Sequence, residues 1–340
     1  MSTSTSTSTA PSPQTGAAER TGPSDPASRV RLGFGRVLRS EWIKFRSLRS
    51  HWILLGVALL LSLGFAALSS SSALTFIDFN EQAAQEQVDT MLDGRSPEEL
   101  GLTEEDVQQQ KDEIIAQSEQ QMTEGSGLSL PEGMGFGEYM AMSSANGGLQ
   151  LVMLLLGALA VLAIGSEYST RSIQTTMTAV PRRTPVMLAK VVVLSAVTFG
   201  FGVLSALLSH LLVQPILAGG DLGYDLLQEA VLLNILAVGV FYMITSWLGF
   251  GLGSLLKSTT WGIVVLVVLL MVLEIVLFAL SFEWLDDVKP YSPAAAGAQL
   301  TSMYQPSDAA LNHVESGLVY GAWGLVLVAA GILVTKRRAL

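Results

Sequence analysis

Residues 260–280 read TWGIVVLVVLLMVLEIVLFAL, a run in which Glu274 is the only charged residue. A helix needs about 20 apolar residues to cross the roughly 30 Å hydrocarbon layer of a bilayer. Five further segments are similarly apolar, at residues 52–72, 149–165, 186–212, 230–256 and 318–335. The sequence therefore predicts an all-α integral membrane protein with six transmembrane helices, and a lipid bilayer as its surroundings.

The composition excludes several kinds of site. The chain has no cysteine, which excludes disulfides, thiolate metal ligands and cysteine nucleophiles. Its three histidines lie far apart, and no Gly-x-x-x-x-Gly-Lys-Ser/Thr sequence occurs. The P-loop that such a sequence forms is therefore absent. We therefore expect no metal site and no ATP bound in the P-loop manner by this chain itself. The net charge of -10 leads us to expect no nucleic-acid partner.

The residues before the first span divide into two parts. Residues 1–28 are rich in Ser, Thr, Pro and Gly and predict a disordered tail. Residues 29–51 predict an amphipathic helix at the membrane surface, because apolar residues recur every three or four positions and basic residues mostly fall between them. An ordinary surface helix is the alternative. Residues 52–340 then form the six-helix membrane domain.

The basic residues predict the orientation of the chain. Sixteen of the 19 Lys and Arg residues lie before span one, between spans two and three, between spans four and five, or after span six. The remaining three lie in the alternate loops. Loops rich in Lys and Arg stay in the cytoplasm, so we expect both termini to be cytoplasmic in a multi-pass protein of the cell membrane.

The same count places residues 73–148 outside the cytoplasm. This insertion between spans one and two contains 16 Asp and Glu residues and only two basic ones. Helix-start signals occur at Ser96-Pro97 and at Thr103. The apolar stripe that follows is narrow, so we expect a helical insertion that packs one face on the membrane domain or on a partner. A merely solvated loop is the alternative.

Three short segments lie in order among the six spans. Ser40-Glu41-Trp42-Ile43-Lys44 precedes span one, and the loop after span two contains Glu167-Tyr168, Ile173, Pro181-Arg182-Arg183 and Lys190; Gly249–Gly253 closes span four. Together they resemble the type-2 ABC transporter permeases over most of residues 35–340, apart from much of the acidic insertion. Arg171 stands where that family usually has glycine.

The resemblance implies a permease subunit of an exporter-type transporter that works as a dimer, with a second copy or a paralogue. A separate cytoplasmic ATPase subunit would bind the ATP, and this chain would hold no cofactor. The loop between spans two and three would form the ATPase-coupling element, and the segment before span one would be a connecting helix beside it. The coupling residues would be Glu167, Tyr168, Arg171, Pro181, Arg182 and Arg183, and the connecting-helix residues Glu41, Trp42 and Lys44. Alternatively, the basic residues of the loop serve only to orient the chain.

Three polar residues within or beside the spans are candidates for a translocation path. Glu274 lies two-thirds of the way along span five, where an ionisable group is costly and should face the bundle interior or an aqueous cavity. His210 and Asn234 are its possible partners. A hydrogen bond between helices explains Glu274 equally well. Two other functions stay open, namely a sensor or scaffold acting through the acidic insertion, and a membrane enzyme that uses Glu274 with His210.

Overall fold

The computed structural model describes residues 33–126, 130, 134–169, 183–220, 222–280, 282–305 and 309–337, in which every regular element is a helix. The predicted tail of residues 1–28 lies outside this part of the chain. The helices are α1 (Phe34–Ser47), α2 (Arg49–Leu92), α3 (Glu104–Ser126), α4 (Phe136–Ser143), α5 (Leu149–Ser169), α6 (Arg183–Leu217), α7 (Glu229–Leu256), α8 (Thr259–Ala279), α9 (Glu283–Asp286), α10 (Pro293–Leu300) and α11 (His313–Arg337).

Within the described residues, six helical stretches are long and apolar enough to cross a membrane. They are α2, the stretch Phe136–Tyr168 that joins α4 to α5, and helices α6, α7, α8 and α11. Each contains one of the apolar segments recognised in the sequence. The prediction of an all-α fold with six transmembrane helices is therefore confirmed.

Helix α1 is separated from the first span by one extended residue. Leu48 has a φ of -85° and a ψ of 104°, and α2 begins directly after it at Arg49. The predicted amphipathic helix of residues 29–51 is thus divided at Leu48, and residues 29–32 are outside the described part. On α1 the buried residues are Val37, Glu41 and Phe45, spaced four apart. This spacing puts them on one face, so the face of α1 that meets the protein carries a carboxylate.

Helix α2 continues well beyond the first apolar segment. Its 44 residues correspond to about 66 Å of helix, more than twice the thickness of the hydrocarbon layer. The insertion expected from residue 73 therefore starts as an extension of the first span. The extension ends at Leu92, after which Asp93 adopts the left-handed conformation with a φ of 52°.

The second arm of the insertion is α3, which packs against α2. At the predicted helix start, the Ser96 hydroxyl accepts from the Glu99 N–H and the Glu99 carboxylate accepts from the Ser96 N–H, but the helix that follows is a single 3-10 turn, Pro97–Leu100. Thr103 starts α3, because its backbone N–H donates to Asp106 at 2.7 Å and its hydroxyl accepts from the Asp106 N–H at 3.2 Å. The Thr103 hydroxyl also donates to the Asp106 carboxylate at 2.7 Å, and this hydrogen bond, together with the one from the Thr103 N–H, lowers the pKa of the Asp106 carboxyl.

Helix α7 is the most buried of the six spans, and glycines allow its neighbours to approach closely. A β-carbon at Gly249 would overlap the carbonyl oxygen of Gly157 on α5, and one at Gly251 would lie 2.5 Å from the backbone of Leu327 on α11. On α6, a β-carbon at Gly202 would lie 2.7 Å from Gly239 Cα of α7. A β-carbon added at Gly200 would have no heavy atom of another part of the protein within 4 Å. Small residues that let helix backbones touch are the usual device for packing in lipid.

Candidate functional site

Four charged side chains meet where α1 crosses the ends of α5 and α6. Lys190 Nζ of α6 lies 2.5 Å from Glu41 Oε2 of α1 and 2.8 Å from Glu167 Oε1 of α5. Lys44 Nζ lies 2.7 Å from Glu41 Oε1 and 3.6 Å from Glu167 Oε1. We call these four residues the ion cluster. Two carboxylates and two ammonium groups balance in charge, so the cluster is neutral as a unit.

Three of the four side chains of the ion cluster are largely removed from water, whereas Lys44 is 37% exposed. The exposed fractions of the side chains are 3% for Glu41, 8% for Lys190 and 13% for Glu167. Burial alone would raise the pKa of the Glu41 carboxyl, but attraction to Lys190 and hydrogen bonds from Lys190 and Lys44 outweigh it and hold that pKa below its ordinary value. Glu41 therefore stays ionised at neutral pH, and its charge depends on Lys190 remaining beside it.

The ion cluster joins the two ends of the loop between spans two and three. Glu167 lies two residues before the end of α5 at Ser169, and Lys190 lies seven residues after the start of α6 at Arg183. Both side chains meet on the same carboxylate-bearing face of α1. The expected coupling loop is thus attached to the expected connecting helix at its entry and at its exit.

The remaining coupling candidates have different surroundings. The Tyr168 hydroxyl lies 2.9 Å from Thr335 Oγ1 of α11, and the Lys257 ammonium lies 5.7 Å from the centre of the Tyr168 ring. Trp42 is 41% exposed. Arg183 begins α6, and its side chain is not described. Arg171, Pro181 and Arg182 lie outside the described residues, so their predicted roles stay predictions.

Sequence reasoning did not include Lys190 among the site residues. Its signals are its place in the segment that resembles the permease family and its position as a lysine inside the apolar sequence Val186–Val193. A charged residue in such a sequence needs a buried partner, but nothing local says which acid supplies it. The partners come from α1 and α5, 149 and 23 residues away in sequence.

Two of the three translocation-path candidates lie together. His210 Nε2 lies 3.2 Å from Asn234 Oδ1, and His210 Nδ1 lies 2.7 Å from the Tyr224 hydroxyl. Asn234 Nδ2 donates to the Thr301 carbonyl at 2.7 Å. With the hydrogen on Nε2, the imidazole donates to Asn234 and accepts from Tyr224, so both ring nitrogens are satisfied. This network links α6, α7 and the end of α10.

Glu274 does not belong to that network. Its Oε2 accepts a hydrogen bond of 2.8 Å from the Ser292 hydroxyl, which itself accepts from the Ala295 N–H at the start of α10. Glu274 and His210 therefore have different partners and do not form the acid/base pair that the enzyme hypothesis needs. Glu274 instead lines a cavity of about 360 Å³ between α5 and α8.

Two more cavities share lining residues with the Glu274 cavity or with each other. A cavity of about 190 Å³ shares Gln150 and Met153 with it, and one of about 440 Å³ shares Ser302 and Met303 with the second. Asn234 and His313 line the third. Glu274 and Asn234, which the sequence suggested as partners, thus line separate cavities, and a third cavity shares lining residues with each of the two.

The comparisons with known proteins agree with this architecture. The family model described as ABC-2 family transporter protein matches residues 36–340, a range that includes all six spans and the ion cluster. Neither a curated protein nor a solved structure matches the chain. Because the family match extends over most of the chain, this protein belongs to the ABC-2 family of transporter proteins and is a type-2 ABC transporter permease.

Proposed function

We propose that this chain is the membrane-spanning subunit of an ATP-driven exporter of the cell membrane. A separate ATPase subunit binds and hydrolyses ATP on the cytoplasmic side, and a second permease copy or a paralogue completes the transporter. Family membership supports the transport role. The observation that carries the coupling proposal is the ion cluster, in which Lys190 holds Glu41 and Glu167 together.

The ion cluster suits a mechanical role. A coupling loop transmits nucleotide-driven movement only if the loop and the spans move as one body. Buried charge pairs with short hydrogen bonds are costly to separate, because each partner left behind would be an uncompensated charge. The cluster therefore joins α1, the end of α5 and the beginning of α6 into a single unit, which the ATPase would push or pull.

Co-purification tests the partnership. From native membranes, we expect the intact protein to bring down a P-loop ATPase. Glu167→Gln should reduce the recovered ATPase, because it weakens the attachment of the loop to α1 and α6. Glu229→Gln is the matched control, since Glu229 is exposed in the first turn of α7, on the side expected to face away from the ATPase. Recovery of intact protein without any ATPase would contradict the proposal.

The proposed orientation, with both termini in the cytoplasm, can be tested by cysteine labelling. The chain has no cysteine of its own, so only an introduced cysteine in this protein reacts. Ser40 on α1 and Gln109 on α3 are both exposed. On intact cells, a membrane-impermeant maleimide should label the Gln109→Cys protein, and label the Ser40→Cys protein only after permeabilisation. The reverse labelling pattern would refute the orientation.

A further inference from the structure

Glu274 is a single carboxylate in the wall of a cavity. In the described part of the chain, no basic side chain lies within 4 Å of it. Its hydrogen bond from Ser292 occupies Oε2 and leaves Oε1 for another donor. An ionisable group in a transmembrane helix is normally paired or directed towards water or a ligand, so the lack of a basic partner among the described residues is the feature to explain.

The walls of the Glu274 cavity are mostly apolar. Leu151, Leu154, Leu270, Met271 and Ile275 line it, together with Gln150. The cavity is open at the protein surface, where Leu151, Met271 and Ile275 are 41%, 47% and 58% exposed. Its volume of about 360 Å³ lies within the roughly 300–1,000 Å³ of pockets that bind small organic molecules. Apolar walls with one convergent charge and one amide are the composition of a site for an amphipathic ligand.

The backbone also marks this position. Residues Val268–Val272 of α8 form a π-helical turn that ends two residues before Glu274. Such turns insert one residue into a helix and are frequent at functional sites. Glu274 is further held by Ser292, which is buried and caps α10 through the Ala295 N–H. The Ser292 hydrogen bond therefore holds the carboxylate against the start of α10.

From these observations we infer that the Glu274 cavity binds an amphipathic organic cation, such as an ammonium or phosphonium with a hydrophobic body. The cationic centre meets Glu274, and the apolar body lies along Leu154, Leu270 and Met271. The adjoining cavity beyond Gln150 accommodates a longer ligand. This inference rests on the proposed transport function, for which it names the class of substrate.

The test uses two ions of the same shape and opposite charge on the purified full chain in lipid nanodiscs. Tetraphenylphosphonium should bind the wild-type protein. Its affinity for Glu274→Gln should be lower by about tenfold or more, because the variant loses the charge attraction. The glutamine still accepts the Ser292 hydrogen bond, so thermal unfolding without ligand should be unchanged. Binding of the anion tetraphenylborate should not fall in the variant. Equal affinity of tetraphenylphosphonium for both proteins would overturn the inference.

A second variant separates the cavity from general surface charge. Leu151→Trp keeps Glu274 but fills the Glu274 cavity, and should also abolish tetraphenylphosphonium binding. Leu325→Trp is the matched control, because Leu325 is an exposed apolar residue of α11 that does not line the cavity. Equal binding to the two tryptophan variants would contradict the site. No ATPase is needed in this assay, so its failure would leave the co-purification result standing, and the converse also holds.

Discussion

Replacing Lys190 by methionine should destabilise the protein by about 3 kcal/mol or more. Lys190 is the ammonium that bridges Glu41 and Glu167, and its loss leaves the two carboxylates facing each other with Lys44 as the remaining cation. Removing one partner of a buried ion pair typically costs 3–5 kcal/mol. The measurement is thermal unfolding of the purified protein in lipid nanodiscs.

Lys289→Met is the matched control for that experiment. Lys289 also forms an ion pair of 2.7 Å, with Asp286, but the two side chains are 30% and 69% exposed. Exposed pairs contribute about 1 kcal/mol at most, so this variant should unfold nearly as the wild type does. The double variant Lys190→Met with Glu167→Gln should recover part of the loss, because one of the opposed carboxylates is neutralised. Equal effects of Lys190→Met and Lys289→Met would show that the ion cluster does not stabilise the bundle.

Replacing Gly249 by alanine should have the second large effect. The new methyl group would overlap the carbonyl oxygen of Gly157, and it would lie 3.0 Å from Ala160 Cβ. Both neighbours belong to the rigid helix α5, so α5 and α7 must separate. Overpacking of this kind costs about 1–3 kcal/mol, occasionally more. A lower unfolding temperature and a lower yield of folded protein from membranes are the expected results.

Gly200→Ala provides the comparison for Gly249→Ala. Gly200 lies in the middle of α6 with no heavy atom within 4 Å of an added β-carbon. Alanine is favoured over glycine in a helix by up to about 1 kcal/mol, so this variant should be neutral or slightly more stable. If Gly249→Ala unfolded at the same temperature as Gly200→Ala, close contact between α5 and α7 could not be what the glycine provides.

The spans could be predicted from sequence because their signal is local. Each helix must be apolar along its own length to lie in hydrocarbon, whatever it packs against. The six segments, the start of α3 at Thr103 and the start of the 3-10 turn at Ser96 were accessible for this reason. The division at Leu48 was not, because the apolar period of three and four runs through it unchanged.

The sequence predicted that the insertion is acidic and helical, but it did not predict how its helices are arranged. Its acidity marks it as a segment outside the hydrocarbon, and the narrow stripe of Val107, Ile114 and Met122 indicated a helix with one packing face. What that face meets is the extension of α2, where Ala84 and Val88 are buried. Met122 stays exposed. The sequence did not reveal that α2 itself continues as the first arm, because hydropathy falls where the helix leaves the apolar segment and helicity does not.

The candidate site shows the same division between local and long-range information. The sequence by itself determined six spans, the residue types that are costly in a membrane, and the segments that resemble the permease family. Only the tertiary structure decided that Lys190 joins Glu41 to Glu167, that His210 meets Asn234, and that Glu274 lies apart from both in its own cavity. The physical reason is that hydropathy depends on each residue alone, whereas the contacts of a buried charge depend on the rotation of its helix and on side chains brought from distant parts of the chain.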